Sequence, residues 1–105
     1  MTEVLNLLNT LQYKENSVAT RTLVEKEGGS LTVYAFDKTQ GLGRHASPFL
    51  TCIQLIEGKA QITIDDKTNL VSENEIVTIP ANVPFALHSI HKVKAILFRL
   101  KSSSK

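Results

Sequence analysis

The 105-residue sequence has no tryptophan, one methionine and one cysteine, and only 6% aromatic residues. A single cysteine, Cys52, rules out an intrachain disulfide and a thiolate framework for structural zinc, which suits a reducing compartment and gives an expectation of a cytoplasmic protein. No apolar run approaches the length of a membrane span, and Met1-Thr2-Glu3-Val4-Leu5-Asn6-Leu7-Leu8 lacks a basic segment followed by an unbroken apolar one, so neither a membrane span nor a secretory signal is expected. The net charge is only +2, too small to point to nucleic acid or an anionic membrane as a partner. The basic excess gathers late, at Lys92, Lys94, Arg99, Lys101 and Lys105, where the expectation is a solvated strand face and tail. Phosphate loops, Rossmann fingerprints and the Gly-x-Ser-x-Gly elbow are absent.

What the chain does have is alternation. Hydrophobic residues make up 42% and charged residues 21%, an ordinary globular balance for one domain over 1–105. Val18, Thr20, Thr22 and Val24 are β-branched and in phase, Gly28-Gly29-Ser30 offers a reversal, and Leu31 to Phe36 reads as the returning strand. Asp37 to Arg44 is polar and carries two glycines, which predicts a loop feeding His45. Thr51 to Ile56, Gln61 to Ile64, Thr68 to Val71, Glu75 to Ile79, Phe85 to Ile90 and Val93 to Leu100 supply the remaining strands, with turns at Glu57-Gly58-Lys59, Asp65-Asp66-Lys67, Ser72-Glu73-Asn74 and Ala81-Asn82-Val83-Pro84. About eight strands and little helix predict an all-β sandwich or small barrel; residues 4 to 11 fit one or two helical turns or an extended segment, and 101–105 a frayed tail.

Few residues carry chemistry. Cys52 falls on the opposite phase from Thr51, Ile53 and Leu55, so it does not face His45 as a nucleophile would, and it reads as a small buried hydrophobe. His88 and His91 lie three apart, on opposite faces of any continuous strand, and make a poor ligand pair. Asp65-Asp66 and Glu73-Asn74-Glu75 sit in turns, where solvation accounts for them. No catalytic residue emerges from this reading.

Order and spacing add something further. A glycine-bearing loop, His45, Pro48, an apolar strand ending in Glu57-Gly58, an alternating strand, and then Ile79-Pro80-Ala81-Asn82-Val83-Pro84-Phe85-Ala86-Leu87 together resemble the small single-domain cupins of the cupin 2 conserved-barrel type, over residues 17–100. The first motif of that family runs His, any residue, His, three or four residues, Glu, six residues, Gly. Anchored on Gly58, His45 matches the first His, while Ser47 and Thr51 stand where the second His and the Glu belong. In the second motif Asn74, Pro80, Asn82 and Phe85 stand for Gly, Pro, Gly and His, so only the proline is kept.

The resemblance implies a cupin-like β-barrel, a double-stranded jelly roll of two antiparallel sheets, and a homodimer in which the strand at 18–25 and its hairpin pack on a partner. Family members with the full motif hold Fe, Mn, Ni or Zn through three imidazoles and a carboxylate; of these, only His45 is present here, and Phe85 offers no lone pair. The metal site is therefore expected to be lost, with no cofactor. On this register Ser47, Phe49, Thr51, Ile53 and Leu55 face inward with Phe85, Leu87 and Ser89. The leading expectation is a non-catalytic or cryptic small-molecule-binding cupin whose ligand in the barrel touches His45, Ser47, Thr51 and Phe85. A metal-dependent oxygenase or isomerase and a structural or regulatory dimerisation module, its barrel filled by its own side chains, stand as the alternatives.

Overall fold

The computed structural model describes residues 4–101. A single turn of 3-10 helix, Leu7–Asn9, precedes nine strands: β1 (Val18–Lys26), β2 (Gly29–Phe36), β3 (Gly41–His45), β4 (Leu50–Glu57), β5 (Lys59–Ile64), β6 (Lys67–Ser72), β7 (Ile76–Ile79), β8 (Phe85–Ser89) and β9 (Val93–Leu100). Two antiparallel sheets result, in the orders β1-β2-β9-β4-β7 and β3-β8-β5-β6. Their facing sides make one core in which Phe36, Ile53, Leu55, Ala60, Ile62, Ile79, Phe85, Val93, Ala95 and Leu97 are at most 2% exposed. This is the expected jelly roll, with one strand more than the sequence suggested.

The extra strand corrects the loop expected over 37–44. Gly41-Leu42-Gly43-Arg44 has poor strand propensity, but Gly41 and Leu42 pair with His88 and Leu87, and His45 with Phe85, across a bulge that absorbs Gly43-Arg44. Tertiary pairing overrides local composition here. The phase assigned to Ser47 and Phe49 is corrected too, because β4 begins at Leu50 and both residues lie in the 46–49 turn. Pro48 has no N–H for a ladder, and the Ser47 hydroxyl accepts from the Phe49 N–H at 3.1 Å, closing the turn locally.

The two outer faces differ. On the four-stranded sheet the outward face carries Gln61, His88, Thr63 and Thr68, exposed or half-buried, with Leu70, 59% exposed, as its apolar exception. The outer face of the five-stranded sheet is more apolar, with Val33, Ile96, Phe98 and Leu100 beside Arg21, Gln54 and Lys94, and part of it lies under the N-terminal segment. There Tyr13 donates its phenol proton to Glu57 Oε1 at 2.7 Å, and Lys94 Nζ sits 5.0 Å from the Tyr13 ring centre and donates to the Leu8 carbonyl. Burial, reinforced by the Glu57 carboxylate, pushes the Tyr13 phenol well above its ordinary value. Of the late basic run expected to be solvated, Lys92 and Lys101 are exposed and Arg99 is half-buried, Lys94 is buried at 7% exposure, and Lys105 lies outside the described residues. Of the tail expected over 101–105, Lys101 donates its N–H to the Gly28 carbonyl at 2.8 Å, and 102–105 lie outside the described residues.

Candidate functional site

The two ends of the barrel are built differently. At one end Ser89, 0% exposed, places its hydroxyl 2.7 Å from the carbonyls of both Asp37 and Gln40, which folds the β2–β3 turn over the lumen. The other end gathers the 46–49, 65–66 and 80–84 turns, where His45, Ala46, Pro48, Pro80 and Asn82 are exposed. Those turns are tied to one another: Asn82 N–H donates to the Ser47 carbonyl at 2.7 Å, Asp65 N–H to Pro84 at 2.8 Å, and Arg44 Nη1 to the Asp65 carbonyl at 2.9 Å. A rigid rim results, with Phe85 and Thr51 fully buried beneath it, and it forms the mouth of the barrel.

Every residue expected at the site lies at this end, but the four play different parts. His45 and Phe85 are cross-strand neighbours with ring centres 4.7 Å apart, tilted by 50°. The His45 Nδ1 lies 2.8 Å from the Gly43 carbonyl, an acceptor only, so Nδ1 carries a proton and the neutral ring keeps its lone pair on Nε2. The ring is thus fixed at two points while remaining exposed. Phe85, 0% exposed, plugs the lumen beneath it.

Thr51 is also 0% exposed, and its hydroxyl donates to the Phe49 carbonyl at 3.3 Å. Ser47 is half-buried with its oxygen on the Phe49 N–H. Both hydroxyls are therefore engaged with local backbone, and the convergence of three polar groups foreseen from the register reduces to His45 alone at the surface. As metal donors, one imidazole, two backbone-bonded hydroxyls and a phenyl ring do not fit a set of three imidazoles and a carboxylate. Among the described residues no three His, Cys, Asp or Glu side chains come together. His88 is exposed on the opposite face of β8 from Phe85, and His91 lies in the β8–β9 turn.

One mouth residue was not foreseen. Arg99 sits on β9 in phase with Val93, Ala95 and Leu97, facing the lumen, with Ser30 and Thr51 as cross-strand neighbours. Its Nε is buried without a hydrogen-bond partner. The signal in the sequence was the phase, which outweighed the charge. Cys52, by contrast, lies on the outer face as its phase predicted, half-buried between Phe98 and Thr78. That face also carries a groove of about 400 Å³ lined by Val24, Leu31, Phe98 and Leu100 beside Gly28-Gly29.

No family model matches the chain, and no curated protein matches it. Solved structures do. A conserved protein of unknown function from Streptococcus pyogenes is 32% identical, over 99% of this chain and 91% of that one, with a TM-score of 0.92. A cupin 2 conserved barrel domain protein from Leptotrichia buccalis is 26% identical over 92% of this chain and 47% of its own length, with a TM-score of 0.89. A cupin superfamily protein from Desulfitobacterium hafniense, 19% identical over 97% of this chain and 94% of that one, has a TM-score of 0.91. With the His45-to-Gly58 register, the two-sheet jelly roll and these relatives in agreement, the chain belongs to the cupins, as a small barrel whose metal-binding motifs are degenerate.

Proposed function

We propose that this cupin binds a small organic molecule at the barrel mouth without a metal ion. The observation that carries this reading is His45, an exposed imidazole clamped between the Gly43 carbonyl and the Phe85 ring at the end of the barrel opposite the Ser89-tethered β2–β3 turn. Holding an exposed ring in one orientation is what a polar ligand contact requires, because a preset donor or acceptor loses less freedom on binding. The packed lumen limits the ligand to the mouth, with Phe85 as its floor. Chelator-treated protein screened against small acids, sugars and aromatic alcohols is expected to gain thermal stability with at least one of them. The gain is expected to vanish in His45→Ala; a gain that appears only on adding iron, nickel or zinc overturns the reading.

A second reading is favoured by the contrast between the outer faces. We propose that a second copy covers the apolar face of the five-stranded sheet. Val24 and Leu100 are 47% and 49% exposed there, and β1 is the edge strand of the same sheet, so a two-fold partner covers apolar surface and a free strand edge together. Sedimentation is expected to give twice the 11.6 kDa chain mass, falling to one chain in Val24→Asp/Leu100→Asp. A monomeric wild type removes this reading.

A further inference from the structure

We infer that Arg99 is the anchor for the carboxylate of a small apolar acid bound in the barrel mouth, an assignment that rests on the mouth being the ligand site. The inward row at this end of the five-stranded sheet runs Glu25, Ser30, Arg99, Thr51 and Ile79, each the cross-strand partner of the next. Facing it, the last inward row of the other sheet runs His45, Phe85, Ile64 and Lys67. Arg99 therefore stands at the centre of the lumen side of the mouth, at the same end as His45.

A guanidinium on that face is out of place as structure. Its neighbours in register are hydroxyl residues, Ser30 and Thr51, and neither accepts from its Nε. Glu25 is the nearest acid in the row, two strands away, and no ion pair joins it to Arg99 among the described residues. A buried N–H without an acceptor is a cost that folded proteins seldom carry without a use. The unmatched atom is Nε. Together with one Nη it presents two parallel N–H groups, a fork whose spacing fits the two oxygens of a carboxylate.

The surroundings choose among oxyanions. Arg44, the other guanidinium at this end, is turned to the Asp65 carbonyl, and Lys67, at the far end of the facing row, is exposed to solvent and brings a point charge rather than a planar fork, so the phosphate arm of the test below is what separates the two oxyanions. Phe49, Ile64 and Val83 are half-buried at the same end and suit an apolar body. His45, with its lone pair on Nε2, remains for a second polar atom.

Calorimetry on the full, metal-free chain tests this with benzoate, the neutral benzyl alcohol and inorganic phosphate. Benzoate is expected to bind at least about tenfold more tightly than benzyl alcohol, the difference a charge-assisted fork contributes. Arg99→Lys, which keeps the charge and loses the fork, is expected to weaken benzoate by about tenfold and leave benzyl alcohol unchanged. Arg99→Met is expected to abolish the preference for benzoate and to leave the melting temperature unchanged or raised, since it removes an unmatched buried donor. Equal binding of benzoate and benzyl alcohol by wild type overturns the anchor while leaving the mouth as a ligand site, and tighter binding of phosphate overturns the carboxylate assignment. A marked drop in melting temperature in both Arg99 variants makes the guanidinium structural and sinks the inference. No binding by any of the three probes overturns the anchor and the ligand-site reading together.

Discussion

Phe85→Ala is expected to lower the unfolding free energy by about 3–5 kcal/mol, the range for deleting a buried phenyl ring. The side chain is 0% exposed and lies between His45 on β3 and Ile64 on β5 in the ladder, so its loss leaves a void where three strands meet. The void lies just below the mouth, and the rim above it is held by turn-to-turn hydrogen bonds rather than by soft side chains, which limits collapse. His45 also loses the face its ring rests on, so orientation at the site fails with stability. Urea denaturation reads the effect; a loss below about 1 kcal/mol is the cost of a surface residue and contradicts a packed lumen at this position.

Gly58→Ala is expected to cost about 2–4 kcal/mol, nearly as much, for a reason confined to the backbone. Gly58 has φ of +94°, and a Cβ there runs into the Lys92 carbonyl. The left-handed conformation alone costs roughly 1–2 kcal/mol for a residue with a side chain. The clash adds to this, because Lys92 leads directly into Val93, which is 0% exposed and cannot move without disturbing the core. Gly28→Ala is the internal control: nothing lies within 4 Å of its added Cβ, and stability is expected to be unchanged or slightly raised. Equal effects at the two glycines would deny that Gly58 fixes the β4–β5 junction.

The same glycine explains how far the sequence could be read. The spacing back from Gly58 set the register of β4, and Thr51, Ile53 and Leu55 are all at 0% exposure, with Cys52 facing the other way, because strand alternation has a fixed period of two. The strand β3 escaped notice because two glycines and a bulge hide its period, and only pairing with β8 holds it. Ser47 and Thr51 lie at the same end as His45, but hydrogen bonds to Phe49 two residues away decide what their hydroxyls do, and a pattern of letters does not show them. The burial of Lys94 depends on a contact with Leu8, 86 residues away in sequence, beyond any local rule. Arg99 was visible by phase and obscured by its charge, since a basic residue near the end of a strand ordinarily reads as solvated.

The barrel divides into a packed interior and a rim of turns carrying His45, and the proposed ligand binding is confined to that rim. The most direct measurement is an amide-shift titration of chelator-treated protein with benzoate. Saturable shifts are predicted at Gly43–Phe49, Ala81–Phe85 and the neighbours of Arg99. Shifts confined to Val24, Leu31, Phe98 and Leu100 on the outer groove, or appearing only after a divalent metal is added, would contradict the account.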